Sequence, residues 1–408
     1  MNFLIINHYA GSPHYGMEFR HYYLAKEFKK IGHTLTIIAA DYSHIRNIQP
    51  NIEEDFQKEI IDGIDYYWIK TPKYEGSGIG RIINIFTFLY KLKCKSKSFF
   101  NNKKYDVVIA SSTYPLDIFP AKSVAKKMGA KLVYEIHDLW PLSPMELGGY
   151  SKYHPFIMLL QYAENYAYKK CDKVISILPL TLEHAMSHGL KKEKWHNIPN
   201  GIDCSEWEDN KMNLPEHHKT IFENLKKENK KIILYAGTIG VANSLDNFLN
   251  AAKLSKNSNI QYIIAGKGPE KEALEKRVIK EEISNVTFLE SVNKKLVPTL
   301  LSLSDILYVS FQKQSLFRFG ISPNKIFDYM MSAKPVIQAI EAGNNIVADA
   351  KCGITIEPDN PEALKNAIDN ILNLSNQKLE QLGNNGKKYV LANHNYTVLS
   401  KKFINIFE

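Results

Sequence analysis

The sequence predicts an α/β protein made of two similar domains, each a parallel sheet covered by helices. Three observations lead there. Short runs rich in Val, Ile and Tyr alternate with helical patterns over nearly all 408 residues, as strand–helix–strand units do. The alternation breaks at IPNGID (198–203) and then restarts. The length leaves room for two cores, and 44% hydrophobic with 23% charged residues is an ordinary globular composition.

In the first half, FLIIN, TLTIIAA, DVVIA, KLVYEI and KVISI read as strands with helical patterns between most of them. The second half repeats the order with IILYAG, QYIIAG, VTFLE, ILYVSF, PVIQAI and GITIE. Pro199 and Gly201 mark the junction, so the expected domains are 1–198 and 199–394. The last stretch, YTVLSKKFINIF (396–407), has helical apolar spacing, and residues 395–408 are expected to pack back on the first domain.

Composition narrows the class. No run approaches the ~18 apolar residues of a spanning helix. The start NFLIINHY reads as a strand rather than a signal peptide. Cys94, Cys171, Cys204 and Cys352 have no metal-binding or disulfide spacing, which suits a reducing cytoplasm. The net charge of +9 lies mostly in the first half. Between Gly76 and Tyr105 there are seven bases and no acid, interleaved with Ile, Leu, Phe and Tyr. That pattern fits either an anionic membrane surface or a packed helix with a lysine-rich outer face. No nucleic-acid motif accompanies the charge.

The stretch FGISPNKIFDYMMSAKPV (319–336) carries the most chemistry. Ser322 and Pro323 read as the cap and first position of a helix. Lys325, Asp328 and Tyr329 fall on one face, with Ile326, Phe327, Met330 and Met331 on the other. A helix opening at a strand end offers N–H groups and a positive dipole to phosphate. Lys325 and Arg318 add charge, and Asp328 is placed to accept from ribose hydroxyls. The bland alternative is a surface helix with a Lys325–Asp328 pair. YAGTIG (235–240) and IIAGKGP (263–269) supply two further glycine loops after strands. GSGIGR (76–81) follows no strand and is discounted. A dehydrogenase is disfavoured, since no three-glycine fingerprint opens a helix directly after a strand.

In the first half, Gly11, Ser12 and Gly16 let the loop after the first strand bend, and Glu18 and Arg20 follow in the first helical turn. Arginine is unfavourable at a helix start, which signals a ligand or a local ion pair. His137 and Asp138 leave the strand KLVYEI, where the histidine either binds a sugar hydroxyl or serves the loop.

Together these segments resemble family 4 glycosyltransferases of the GT-B type. The resemblance rests on the N-terminal glycine loop with LAKEFKKIGHTLTII, the histidine after KLVYEI, IPNGID, AGKGP and SPNKIFDYMMSAKPVI, and it runs over nearly the whole chain. The opening INHYAGSPHYGMEFRHYYLA resembles bacterial O-antigen and capsule transferases of N-acetyl-L-fucosamine. It implies two Rossmann-like domains facing across a cleft and a retaining, metal-independent transfer from a UDP-sugar. The acceptor implied is an undecaprenyl-diphosphate-linked saccharide on the cytoplasmic face of the membrane, with no cofactor.

The donor residues that follow are Asp328, Gly320, Ile321, Ser322, Asn324, Arg318, Gly237, Thr238, Gly266 and Val292. His137, Asp138 and Lys325 would serve the chemistry, and Gly11, Ser12, Gly16, Glu18 and Arg20 the acceptor. Two departures stand out. Gly320 occupies the place of the family's first glutamate, and Thr238 and Asn243 occupy those of a common arginine and lysine. A UDP-sugar epimerase of the same fold, or a sugar-nucleotide-binding protein without activity, remain as alternatives.

Overall fold

The structure, a computed structural model, describes residues 1–16, 19–76, 78–101, 103–207 and 213–408, with only the backbone of 96–98. The chain divides into one compact unit of Met1–Asn200 with Tyr396–Glu408 and a second of Gly201–Asn395.

The first unit holds an eight-stranded sheet: β1 (Asn2–Ile6), β2 (Thr34–Ala40), β3 (Gln57–Ile61), β4 (Ile64–Ile69), β5 (Val107–Ala110), β6 (Lys131–Ile136), β7 (Lys173–Ser176) and β8 (Trp195–Asn197). Their order is β3-β4-β2-β1-β5-β6-β7-β8. β3 pairs antiparallel with β4 and the other pairings are parallel, so this sheet departs from the all-parallel expectation at one edge. The hairpin turns on Asp62 and Gly63, both at positive φ (50° and 76°). An Asp-Gly pair is the dipeptide that such a tight turn favours. β1, β2 and β5 are nearly continuous apolar runs because both faces are buried.

Helices α1 (Arg20–Lys30), α2 (Ile79–Phe99), α3 (Ile118–Met128), α4 (Leu142–Glu146), α5 (Pro155–Lys170) and α6 (Leu182–Ser187) belong to this sheet. GSGIGR, discounted as a phosphate loop, leads into α2. The terminal residues join this unit as expected. Tyr396 stacks on Tyr23 at 5.2 Å, and Phe403 packs edge-on to Phe3 and Phe28.

The second unit holds β9 (Lys231–Ala236), β10 (Ile260–Ala265), β11 (Val286–Leu289), β12 (Ile306–Ser310), β13 (Val336–Ala339) and β14 (Gly353–Ile356). The order is β11-β10-β9-β12-β13-β14 with every pairing parallel. The strand order therefore reverses between β9 and β12, the switch point at which such sheets take ligands. Around it lie α7 (Glu216–Lys227), α8 (Leu245–Leu254), α9 (Lys271–Lys280), α10 (Val297–Ser302), α11 (Asn324–Met331), α12 (Ile346–Ala350), α13 (Pro361–Leu372) and α14 (Asn376–Asn393). The long α15 stretch of the terminus (Tyr396–Ile404) lies outside this unit.

Apolar residues on the two faces of this sheet form two cores, one with Phe327 and Met330 of α11 and one with Phe248 of α8. Among the described residues, no helix is long and apolar enough to cross a membrane.

Candidate active site

At the switch point of the second unit lies a cavity of about 340 Å³. Its walls are the turns after β9 (Gly237, Thr238), β10 (Gly266, Lys267) and β11 (Ser291, Val292), with Lys325, Asp328 and Tyr329 of α11 opposite. Its position follows from connectivity, because parallel strands deliver all their C-terminal turns to one edge.

The turns interlock. The N–H of Gly237 donates to the carbonyl of Ala265 at 2.9 Å, and that of Ile239 to Lys267 at 2.9 Å. A Cβ on Gly266 would collide with the carbonyl of Gly237, and one on Gly268 with that of Ile239. The glycines thus permit a close approach of one turn to the other, whereas the sequence pattern was read as an approach to ligand. Gly266→Ala is expected to force the two turns apart, costing about 1–3 kcal/mol and deforming the cavity. Thermal unfolding and UDP titration of the variant measure the two effects.

Tyr329 clamps α11 to the end of β9, its hydroxyl donating to the carbonyl of Ala236 at 2.9 Å and accepting from the Ala236 N–H at 2.8 Å. The ammonium of Lys325 donates to the hydroxyl of Tyr235 at 2.7 Å and to Asn243 Oδ1 at 3.0 Å, and lies 4.3 Å from the centre of the Tyr235 ring. Asn243, read as a departure from the family pattern, is therefore what holds the lysine. Among the described residues no carboxylate pairs with this ammonium, and burial pulls its pKa down to about 7.

Asp328 sits one turn along, and its carboxylate accepts no hydrogen bond among the described residues. Burial pushes its carboxyl up to about 6, with Lys294 opposing and Glu206 adding to the shift. The intrahelical Lys325–Asp328 pair is absent. A lysine with a lowered pKa and a carboxyl with a raised one, facing one cavity, mark a functional site.

Other sequence-derived donor residues lie elsewhere. Helix α11 begins at Asn324, with Pro323 at the cap position and no side-chain cap bond. It therefore starts one residue later than SPN suggests, and Ser322 is not its cap. The N–H groups of Gly320 and Ile321 are committed to Phe317 and to Asn344 Oδ1, at 2.9 and 2.7 Å. Those bonds occupy N–H groups expected to meet phosphate, whereas Asn324 and Lys325 at the helix start have N–H groups without partners among the described residues. Gly320, Ile321, Ser322 and Asn324 do not line the cavity. Nor does Arg318, which is exposed and donates to the carbonyl of Ser315 at 2.8 Å. Lys267, Ser291 and Tyr329 line it and were missed as site residues. Lys267 lay in full view within AGKGP.

In the first unit, Glu135 is the hub of a buried cluster. Arg20 Nε donates to its Oε1 at 3.0 Å, and His21, His137 and Ser111 reach Oε2 at 2.9, 3.1 and 2.6 Å. Burial pushes the carboxyl up, but Arg20 and the two histidines outweigh it and hold it well below the usual range. Arg20 also donates to the carbonyls of Ile198 and Pro199 at 2.9 and 2.6 Å. Of the two explanations for an arginine at a helix start, the ion pair is the one the structure shows. Glu135→Gln would leave that guanidinium buried without a counter-charge. It is expected to cost about 3–5 kcal/mol, measurable by urea unfolding.

His137 leaves β6 into this cluster through Nε2. Asp138 accepts through Oδ1 from the N–H of Leu139 at 2.9 Å and from Ser143 Oγ at 2.6 Å. Gly11, Ser12 and Gly16 are buried in a closed turn. The Gly11 carbonyl accepts from Tyr66 Oη at 2.9 Å, and the Gly16 N–H donates to the carbonyl of Ser12 at 2.8 Å. Their contacts shape the turn instead of reaching for a ligand. Glu18 lies outside the described residues.

Comparison with known proteins follows the same division. Residues 15–206 match the family model "Glycosyltransferase Family 4", and residues 217–389 match "Glycosyl transferases group 1". The chain is 22% identical over 331 residues to the probable glycosyltransferase WbjE of Pseudomonas aeruginosa, covering 80% of this chain and 78% of that protein. It is 26% identical over 257 residues to WcaI of Escherichia coli K12, a putative colanic acid biosynthesis glycosyl transferase, covering 59% and 60%. Its fold matches that of Anabaena HepE, solved with UDP and glucose, with a TM-score of 0.68 at 14% identity over 100% of this chain and 99% of that one.

Proposed function

The chain belongs to the family 4 glycosyltransferases and has their GT-B fold; from that premise we propose that it moves a sugar from a UDP-sugar to a lipid-linked saccharide in surface polysaccharide synthesis. The transfer retains anomeric configuration and needs no metal. The observation that carries the donor assignment is that Lys325 and Asp328 line one cavity at the switch point of the second sheet. The diphosphate lies at Lys325 and the start of α11, where a cation and open N–H groups meet. The ribose lies at Asp328, whose carboxylate has accepting capacity to spare. Val292, Val297 and Leu300 offer an apolar wall to the base.

As the bond from the sugar carbon to the diphosphate breaks, negative charge grows on the departing oxygen. Lys325 stabilises it more in the transition state than in the bound donor, which is what accelerates a reaction. The acceptor hydroxyl attacks from the face the diphosphate leaves, and its proton passes to the departing diphosphate oxygen as the new glycosidic bond forms. We assign the acceptor to the first unit, with Asp138 taking a sugar hydroxyl through Oδ2 and His137 fixed by Glu135 beside it. The similarity to WcaI, a putative colanic acid biosynthesis glycosyl transferase, supports a role in bacterial polysaccharide synthesis, and the resemblance of the opening loop favours UDP-N-acetyl-L-fucosamine as the first donor to try. The protein works at the cytoplasmic face of the membrane.

The test is calorimetric titration of UDP in EDTA, with NAD as control, followed by donor screening with and without a polyprenyl-diphosphate saccharide. Metal-independent UDP binding and acceptor-dependent turnover support the proposal. Turnover of a UDP-sugar without acceptor means an epimerase, and UDP binding without any turnover means a binding protein.

A further inference from the structure

The outward face of a helix on a folded domain is normally polar. Helix α2 reverses this. Ile85, Phe88, Leu89 and Leu92 are buried, yet Ile79, Ile83, Phe86 and Tyr90 form a second apolar stripe pointing outward. Ile79 is 77% exposed and Tyr90 68%. The lysines read from sequence as the membrane-facing charge are partly occupied: Lys91 and Lys95 pair with Asp55 at 3.0 and 2.5 Å.

Beside this stripe opens a cavity of about 570 Å³ within the first unit, lined by Ile79, Ile82, Ile85, Trp140, Leu147 and Ile157 among others. Its far rim continues the apolar surface through Leu147 and Tyr150, and Tyr153, 73% exposed, follows in the chain. Exposed aromatic and aliphatic groups around one opening are not scattered surface residues.

One cation stands in this cavity. The guanidinium of Arg81 lies 5.5 Å from the ring centres of both Tyr9 and Trp140, and its Nε donates to the Tyr9 hydroxyl at 3.2 Å. Among the described residues, no carboxylate pairs with it. Asp138 also lines the cavity, with Oδ1 occupied by Leu139 and Ser143. An arginine set beside two aromatic rings, with only Nε engaged in a hydrogen bond among the described residues, suits bidentate contact with phosphate through its remaining N–H groups. An apolar cavity with one oriented cation, opening onto an apolar surface, matches a hydrocarbon chain ending in an anionic head.

We propose that this cavity takes the first isoprene units of the acceptor's polyprenyl diphosphate, with Arg81 on the diphosphate and the outward stripe of α2 resting in the membrane interface. The inference rests on the transferase reading above and assigns its lipid. Membrane contact then comes from the apolar stripe more than from the lysines.

The test uses the whole protein with farnesyl diphosphate, farnesol and inorganic diphosphate as probes, read by Trp140 fluorescence and by calorimetry. Farnesyl diphosphate should bind more tightly than either fragment. Arg81→Gln should weaken it about tenfold while leaving farnesol unchanged. Ile83→Ser/Phe86→Ser/Tyr90→Ser should lose sedimentation with phosphatidylglycerol vesicles, whereas Lys91→Gln/Lys95→Gln should keep it.

Farnesyl diphosphate binding no tighter than inorganic diphosphate overturns the chain site, and indifference to Arg81→Gln overturns the head assignment. Loss of self-association in the triple variant with vesicle binding intact would give the face to a second copy. UDP titration of each variant separates the failures. UDP binding that persists while the lipid probe fails sinks this inference alone, and loss of both sinks the transferase reading.

Discussion

Asp328→Asn is expected to bind UDP roughly a hundredfold more weakly and yet to unfold at a higher temperature than the wild type at neutral pH. Both effects come from one fact: the half-buried carboxylate lines the cavity wall with no hydrogen-bond donor among the described residues. On the proposed reading two ribose hydroxyls supply the donors when nucleotide binds, and the amide cannot replace an anion accepting both. Without nucleotide, the charge is a cost of folding.

The pKa shows where that cost appears. Burial raises the carboxyl from its ordinary 3.8 to about 6 in the folded protein. Between those values the folded state binds more protons than the unfolded one, so wild-type stability falls as pH rises from about 4 to about 6. The full penalty is on the order of 2–3 kcal/mol and persists at higher pH. The asparagine variant lacks it, so the two proteins should differ in calorimetric unfolding at pH 7 and converge near pH 4. Equal UDP affinity in the two would remove Asp328 from the ribose.

Lys325→Met is expected to lower the transfer rate by about 10²–10³-fold, because it removes the ammonium proposed to stabilise the departing diphosphate. The wild-type protein should also show a maximum of donor affinity between about pH 6 and pH 7. With its pKa down at about 7, Lys325 is already charged below that pH and must take up a proton to bind diphosphate above it. Affinity therefore falls on the alkaline side. Asp328 acts in the opposite sense, since its charged form accepts from ribose and affinity rises as pH passes about 6.

Titration with a UDP-sugar across this range tests both limbs, because its diphosphate does not titrate there. Lys325→Met should lose the alkaline limb and Asp328→Asn the acidic one. An unchanged profile in Lys325→Met would mean that the lysine does not meet the diphosphate. Folding of the wild type follows the lysine too: its stability should rise between about pH 7 and 10.5, where the unfolded chain holds the proton and the folded one does not.

Much of the second unit was legible in order, because its strands are apolar runs separated by clear helical patterns. The glycine turns, Lys325 and Asp328 were legible for the same reason, as residues at fixed offsets from strand ends. The hairpin of β3 and β4 was overlooked although Asp62-Gly63 announces it, since its outer strand, QKEII, opens with three polar residues and lies at an edge. Arg20 carried a visible local conflict, but its resolution, Glu135, stands 115 residues away. Likewise Tyr235 and Asn243 gave no sign that they would hold the Lys325 ammonium.

The sequence by itself determined the two-unit α/β order, the covered strands and the residues that end them, because period and turn chemistry are local. Only the tertiary structure decided which charges are paired. It committed Arg20 to Glu135 and Lys91 and Lys95 to Asp55, and it left Lys325, Asp328 and Arg81 facing cavities. Pairing depends on which distant segments the sheets bring together, and no local pattern carries that information.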